Sequence, residues 1–132
     1  MELAGKRIVI CEDNPDLLAV LVEFVKDAGL LVVGTATDGV EAVTRVLDLS
    51  PDLVLMDVAM PRQDGLTAAR LILTQRRCCL VFMTAHMRFA PEFTALGCEF
   101  VSKPFDPALL LERLSAALDR NRVPLRAVPR VN

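Results

Sequence analysis

The chain has 132 residues, enough for one domain with a single core. Its hydrophobic share of 53%, with no Trp or Tyr, calls for an aliphatic interior. A formal net charge of −2 argues against a surface built to grip nucleic-acid phosphates. No apolar run is long enough to cross a bilayer, and residues 1–7 lack the apolar stretch of a secretory signal. The expectation is therefore a soluble, cytoplasmic domain with no membrane contact and no direct nucleic-acid binding.

Short β-branched runs alternate with segments of helical period. Residues 6–11 read as a first strand, followed by Asn14 as a helix cap with Pro15 at the first helical position. Leu17, Leu18, Leu21, Phe24, Val25 and Ala28 then recur at helical spacing up to Gly29. Residues 30–36 make a second strand. Asp38-Gly39 opens a second helix, which Ser50-Pro51 closes. Residues 53–56 are wholly apolar and predict a central third strand. Asp64 or Thr67 caps a third helix through Ala68, Leu71 and Ile72. Residues 80–83 form a fourth strand, and a short, weakly periodic helix runs on to Leu96-Gly97. Residues 98–101 form a fifth strand. Asp106-Pro107 repeats the cap-then-proline start ahead of Leu110, Leu114, Ala117 and Leu118. Residues 1–120 thus make one domain, and residues 121–132, with Arg122, Arg126 and Arg130 and no acid, an irregular tail or the start of a linker.

Four cysteines, Cys11, Cys78, Cys79 and Cys98, show no CxxC spacing. They predict buried free thiols of a reducing compartment, Cys11 and Cys98 within strands.

Five strands alternating with five helices imply a parallel sheet with right-handed crossovers, and such sheets bind ligands at the carboxyl ends of their strands. Glu12 and Asp13 follow the first strand, Asp57 the third, Thr84 and Ala85 the fourth, and Lys103 the fifth. Singly, each has an ordinary reading: helix-start acids, a strand-end acid, a turn residue, a surface lysine. Jointly they put three carboxylates, a hydroxyl and an ammonium in one cleft. Carboxylates so close repel one another unless a cation relieves them, and a hard divalent ion such as Mg²⁺ suits an all-oxygen site. A carboxylate held by a metal and a lysine is equipped to accept a phosphoryl group.

With these residues in hand, the chain resembles the response-regulator receiver family, the CheY-like domains of two-component signalling, from residue 6 to about residue 120. Glu12-Asp13, the string Leu55-Met56-Asp57-Val58-Ala59-Met60-Pro61, Asp64-Gly65, Thr84-Ala85 and Lys103-Pro104-Phe105 stand in the family's order. The resemblance implies a doubly wound (βα)5 fold with strand order 2-1-3-4-5. It implies Asp57 as phosphoacceptor, served by a sensor histidine kinase or phosphotransfer protein. It also implies Mg²⁺ (or Mn²⁺) held by Glu12, Asp13, Asp57 and the backbone carbonyl of Ala59. Lys103 and Thr84 would contact phosphoryl oxygens, and Ala85 would stay small beside them. Phe100 matches the aromatic that turns inward when Thr84 moves, although a core Phe on the fifth strand is the plainer reading. Lacking a hydroxyl, Phe100 has little to hold it outward. Ala59 cannot orient an attacking water, and His86 stands near the phosphate edge or simply starts a helix. The expectation is slow to moderate autodephosphorylation, which a half-life of seconds for the purified phosphoprotein would contradict.

The readout face would be the fourth helix, fifth strand and fifth helix, residues 86–118. There Glu99, Arg113 and Arg120 either pair across a symmetric homodimer or stand as solvated charges. The output, an appended domain or a partner protein, stays open. An aspartyl phosphatase would want a second acid where Ala59 stands, and a nucleotide or flavin site would want glycines or hydroxyls where the acidic run after the first strand lies. The remaining alternative is a phosphorylation-independent interaction module on a receiver fold, whose mark would be loss of Asp57, Lys103 or the acidic pair. All are present.

Overall fold

The computed structural model describes residues 3–120. The expected tail, with Arg122, Arg126 and Arg130, lies outside them. Strands β1 (Arg7–Cys11), β2 (Leu31–Ala36), β3 (Leu53–Asp57), β4 (Cys79–Thr84) and β5 (Glu99–Ser102) alternate with helices α1 (Pro15–Asp27), α2 (Gly39–Leu49), α3 (Gly65–Gln75), α4 (Ala90–Ala95) and α5 (Pro107–Arg120). All strand pairs are parallel, and the sheet order is β2-β1-β3-β4-β5, as expected.

The pleat divides the core between two faces. Val9, Val54, Met56, Leu80 and Phe82 point into one layer, closed by Val46 of α2, Ala69 and Ile72 of α3 and Phe93 of α4. Ile8, Ile10, Leu53, Leu55 and Val81 point into the other, closed by Leu21 and Val25 of α1 and Leu110 and Leu114 of α5. Every residue of β3 and β4 is buried, which accounts for their unbroken apolar runs. β2 is an edge strand, and Leu31 is exposed on it.

Local chemistry sets where the helices begin. Asn14 Oδ1 accepts from the N–H groups of Asp16 and Leu17, with Pro15 at the first helical position. Asp38 Oδ1 caps α2 through the N–H of Glu41 at 2.8 Å. Of the two candidate caps for α3, Asp64 is the cap. It accepts from the Thr67 N–H at 2.8 Å and hydroxyl at 2.9 Å, so Thr67 supports it from inside the first turn. Burial acts against the charged form of Asp64, but these hydrogen bonds outweigh it and hold its carboxyl below the usual carboxylate range. Asp106 caps α5 through the N–H groups of Ala108 and Leu109.

One local expectation shifts. Cys98 is buried but precedes β5, which starts at Glu99. The fourth helix is only six residues long, after a 3-10 turn at Met87–Phe89. No side chain caps it, and among its residues Phe93 alone is buried, so it has one anchor where the other helices have a stripe.

All four cysteines are free. Cys11, Cys79 and Cys98 are buried and Cys78 is half-buried. Burial pushes the Cys11 thiol upward and those of Cys78 and Cys79 up to about 11, so none is an activated nucleophile. Cys78 packs towards the α2–α4 layer and Cys79 belongs to the other, so these neighbours sit on opposite sides of the sheet.

Candidate functional site

The carboxyl ends of β1, β3, β4 and β5 bring the expected residues to one edge. Asp57 is the last residue of β3, and Glu12 and Asp13 follow β1 directly. Each offers a carboxylate oxygen within 4.8 Å of the other two. Glu12 and Asp57 are only 2% and 5% exposed, whereas Asp13 faces solvent.

Lys103 bridges the two buried acids. Its ammonium donates to Asp57 Oδ2 at 2.9 Å and lies 2.8 Å from Glu12 Oε1. Burial disfavours the ammonium, but its two carboxylate partners more than offset this and raise its pKa. For Glu12, burial raises the pKa, and Lys103 and the Asn14 N–H on Oε2 offset this only in part. The backbone aims the lysine: the Lys103 N–H donates to the Thr84 carbonyl at 2.9 Å, continuing the β4–β5 ladder past Ser102.

Three carboxylates against one ammonium leave the cleft negative. Glu12 Oε1 is buried, and its close approach to Lys103 is an ion-pair contact, with no aligned hydrogen-bond donor on that atom. An all-oxygen cluster with an undersatisfied buried carboxylate oxygen fits a hard divalent cation.

Thr84 ends β4 with its side chain buried, and its hydroxyl oxygen accepts the His86 N–H at 3.0 Å. Ala85 and Ala59 are exposed at the rim. Phe100 is not gathered into the cleft. It is half-buried, its ring 5.4 Å from that of Phe93, which in turn stacks on Phe82 at 4.4 Å. That stack joins β4, α4 and β5 behind Thr84. Beside Lys103, a cavity of about 330 Å³ is lined by Leu17, Met83, Pro104 and Phe105.

Sequence reasoning treated Gly65 as part of a motif and missed what it does. A Cβ there would stand 2.0 Å from the Asp57 carbonyl oxygen and 2.9 Å from its carbonyl carbon. The first turn of α3 thus rests directly on the backbone of Asp57, and the Gly65 N–H closes the intervening loop onto the Val58 carbonyl at 2.8 Å. Gly65→Ala must push strand and helix apart, an overpacking effect at the upper end of its usual range, about 3 kcal/mol. Urea unfolding should show that loss. Unchanged stability would mean that the contact is looser than it stands.

The comparisons agree with this geometry. Residues 8–115 match the family model described as "Response regulator receiver domain". The chain is 32% identical over 115 residues to the chemotaxis protein CheY of Thermotoga maritima, covering 84% of this chain and 96% of that protein. It is 35% identical over 122 residues to the transcriptional regulatory protein PdtaR of Mycobacterium tuberculosis, covering 89% of this chain and 58% of that one. The response regulator domain of Thermotoga maritima CheB superposes with a TM-score of 0.82 at 25% identity, covering 87% of this chain and 97% of the other. The chain spans only 20% and 29% of two protein-glutamate methylesterases it also matches, along their receiver parts. A match over most of the chain, a relative covered almost end to end and a shared strand order agree: the chain belongs to the response regulator receiver domains, the signalling switches of two-component systems.

Proposed function

We propose that Asp57 is the phosphoacceptor of this receiver and that it takes a phosphoryl group from the phosphohistidine of a sensor histidine kinase or phosphotransfer protein. The observation that carries this reading is the Lys103 ammonium, held between Asp57 and Glu12 where three strands end. A carboxylate oxygen of Asp57 forms the new bond to phosphorus. The phosphorus–nitrogen bond breaks, and its electron pair goes to the imidazole. Glu12, Asp13, Asp57 and the main-chain carbonyl of Ala59 would hold Mg²⁺, or Mn²⁺ in its place. Bound there, the ion supplies charge neutralisation and alignment of phosphoryl oxygens.

Lys103 then exchanges one carboxylate contact for a phosphoryl oxygen, as a point charge. The Thr84 hydroxyl leaves the His86 N–H and donates to a second oxygen, and the small Ala85 leaves room for it. Phe100 follows Thr84 inward across the aromatic stack and alters the α4–β5–α5 face. Because the acyl phosphate makes these contacts in only one of two conformations, it shifts the population towards that conformation. The switched face would control an appended output domain or a partner, among them a second copy of the chain. The only reactions catalysed would be the chain's own phosphorylation and dephosphorylation. Residues 1–120 form the receiver in this reading. Among the described residues no helix is long and apolar enough to cross a membrane, which suits a cytoplasmic location.

The test is incubation with acetyl phosphate, with and without Mg²⁺, followed by intact mass. A Mg²⁺-dependent gain of one phosphoryl group supports the proposal. No gain, with histidine kinases also supplied, would leave an interaction module on a receiver fold.

A further inference from the structure

The loop from β3 to α3 carries Ala59, and its outer side does not face solvent alone. A Cβ on Gly39, the first residue of α2, would stand 2.0 Å from the Gln63 carbonyl oxygen and 2.6 Å from its carbonyl carbon. The two backbones therefore touch there, and no side chain fits between them. The neighbouring Asp38 is 7% exposed, and its second carboxylate oxygen lies 3.4 Å from Arg62 Nη1 of the same loop. Arg62 is held at a φ of 65°, a left-handed conformation unusual for its residue type. Within the loop the Val58 carbonyl accepts from both Met60 and Gly65, and the Pro61 carbonyl from Gln63. The loop is thus closed on itself at its base and pressed against the start of α2 at its tip.

We propose that Asp38 and Gly39 are positioning residues for the cation site: they form the outer wall that fixes the loop, and so the direction of the Ala59 carbonyl. The inference rests on the proposed function, since it assigns a role towards the cation expected there. A free loop would sample many orientations of that carbonyl and pay the ordering entropy on each binding event; a pinned one has paid it in folding. Between the two devices, the backbone contact dominates. The Asp38–Arg62 pair has one highly exposed partner, 63% accessible, and an ion pair of that kind contributes little by itself.

The experiment is a Mg²⁺ titration of the parent, Gly39→Ala, Asp38→Asn and Arg62→Ala, paired with amide exchange of Gln63 and Gly65 in EDTA. Asn caps helices as well as Asp does, so Asp38→Asn keeps α2 while removing the charge that faces Arg62. Gly39→Ala is expected to weaken Mg²⁺ binding about tenfold, and the two charge variants about twofold to threefold. Exchange at Gly65 should quicken in the same order in the metal-free protein. A general loss of stability would quicken exchange in β3 and β4 as well, so unchanged exchange of those strand amides separates it from a loosened loop. If Gly39→Ala fails to fold, the charge variants carry the test. A parent that binds Mg²⁺ alongside folded variants of equal affinity and equal exchange overturns this inference and leaves Asp57 chemistry untouched. A parent that binds no Mg²⁺ overturns both.

Discussion

Asp57→Asn is expected to abolish the Mg²⁺-dependent gain of a phosphoryl group while leaving the fold intact. The amide has nearly the shape of the carboxylate, but its oxygen is a far weaker nucleophile and carries no charge to hold a cation. Lys103 loses one ionic partner yet keeps Glu12 at 2.8 Å, and Glu12 loses a like charge beside it. The two changes oppose each other, so the melting temperature in EDTA should move by only a few degrees. The response to the ion should differ far more. A ligand at about one hundred times its Kd stabilises the native state by about 2.7 kcal/mol, and the variant should forfeit most of that gain. Melting curves with and without Mg²⁺, beside intact mass after acetyl phosphate, separate lost chemistry from lost structure. A variant that still gains one phosphoryl group would place the acceptor elsewhere.

The second large effect is that of Lys103→Met. With the ammonium gone, Glu12 and Asp57 face each other buried, and among the described residues no other ion pair is formed by either acid. Removing one partner of a fully buried ion pair costs about 3–5 kcal/mol. Here the Lys103 side chain keeps 21% of its surface, so screening reduces the expected loss to about 2 kcal/mol, or roughly 7 °C in Tm without metal. Saturating Mg²⁺ should return most of it, because the ion then meets an uncompensated negative cleft. The loss should also depend on pH. The Glu12 pKa is already raised by burial, and without the ammonium it rises further. A carboxyl whose folded pKa lies above its unfolded value of about 4.3 gives stability that is present below that value and lost as pH rises through the folded one. The gap between variant and parent in EDTA should therefore be small near pH 4 and widen towards neutrality. A gap independent of both pH and Mg²⁺ would mean that Lys103 acts through packing alone. Phosphorylation of the variant should be slow even where stability is restored, since the fixed charge beside the phosphoryl oxygens is gone.

Much of the site was legible because two simple periods place it. Alternation marks the strands, the rule for parallel sheets says which end matters, and the residues standing there were Glu12, Asp13, Asp57, Thr84 and Lys103. The doubly wound order follows from the same pattern together with the family likeness. What escaped were close approaches of backbone. Gly39 and Gly65 read in the sequence as a helix start and a motif letter. Their steric role depends on which carbonyl lies opposite, and that is a long-range fact. The short fourth helix was legible only as weak periodicity, since its stability depends on Phe93 reaching Phe82 and Phe100. The fate of the charges on the last strand and helix was not legible at all. Within one chain Glu99 pairs with Arg113 at 3.9 Å and with Arg120 at closer range, a pairing that the sequence did not indicate.

That internal clamp has a consequence for self-association. Glu99 is 9% exposed and already holds two guanidinium groups, so a second copy approaching this face finds that carboxylate occupied. A cross-chain pair of Glu99 with Arg113 or Arg120 of the second copy must be swapped for the one given up at home. An exchange of this kind leaves the number of ion pairs constant, and its electrostatic free energies largely cancel. The clamp's own share of association through this face would then vary little with ionic strength, leaving apolar area covered around it as the larger driving force.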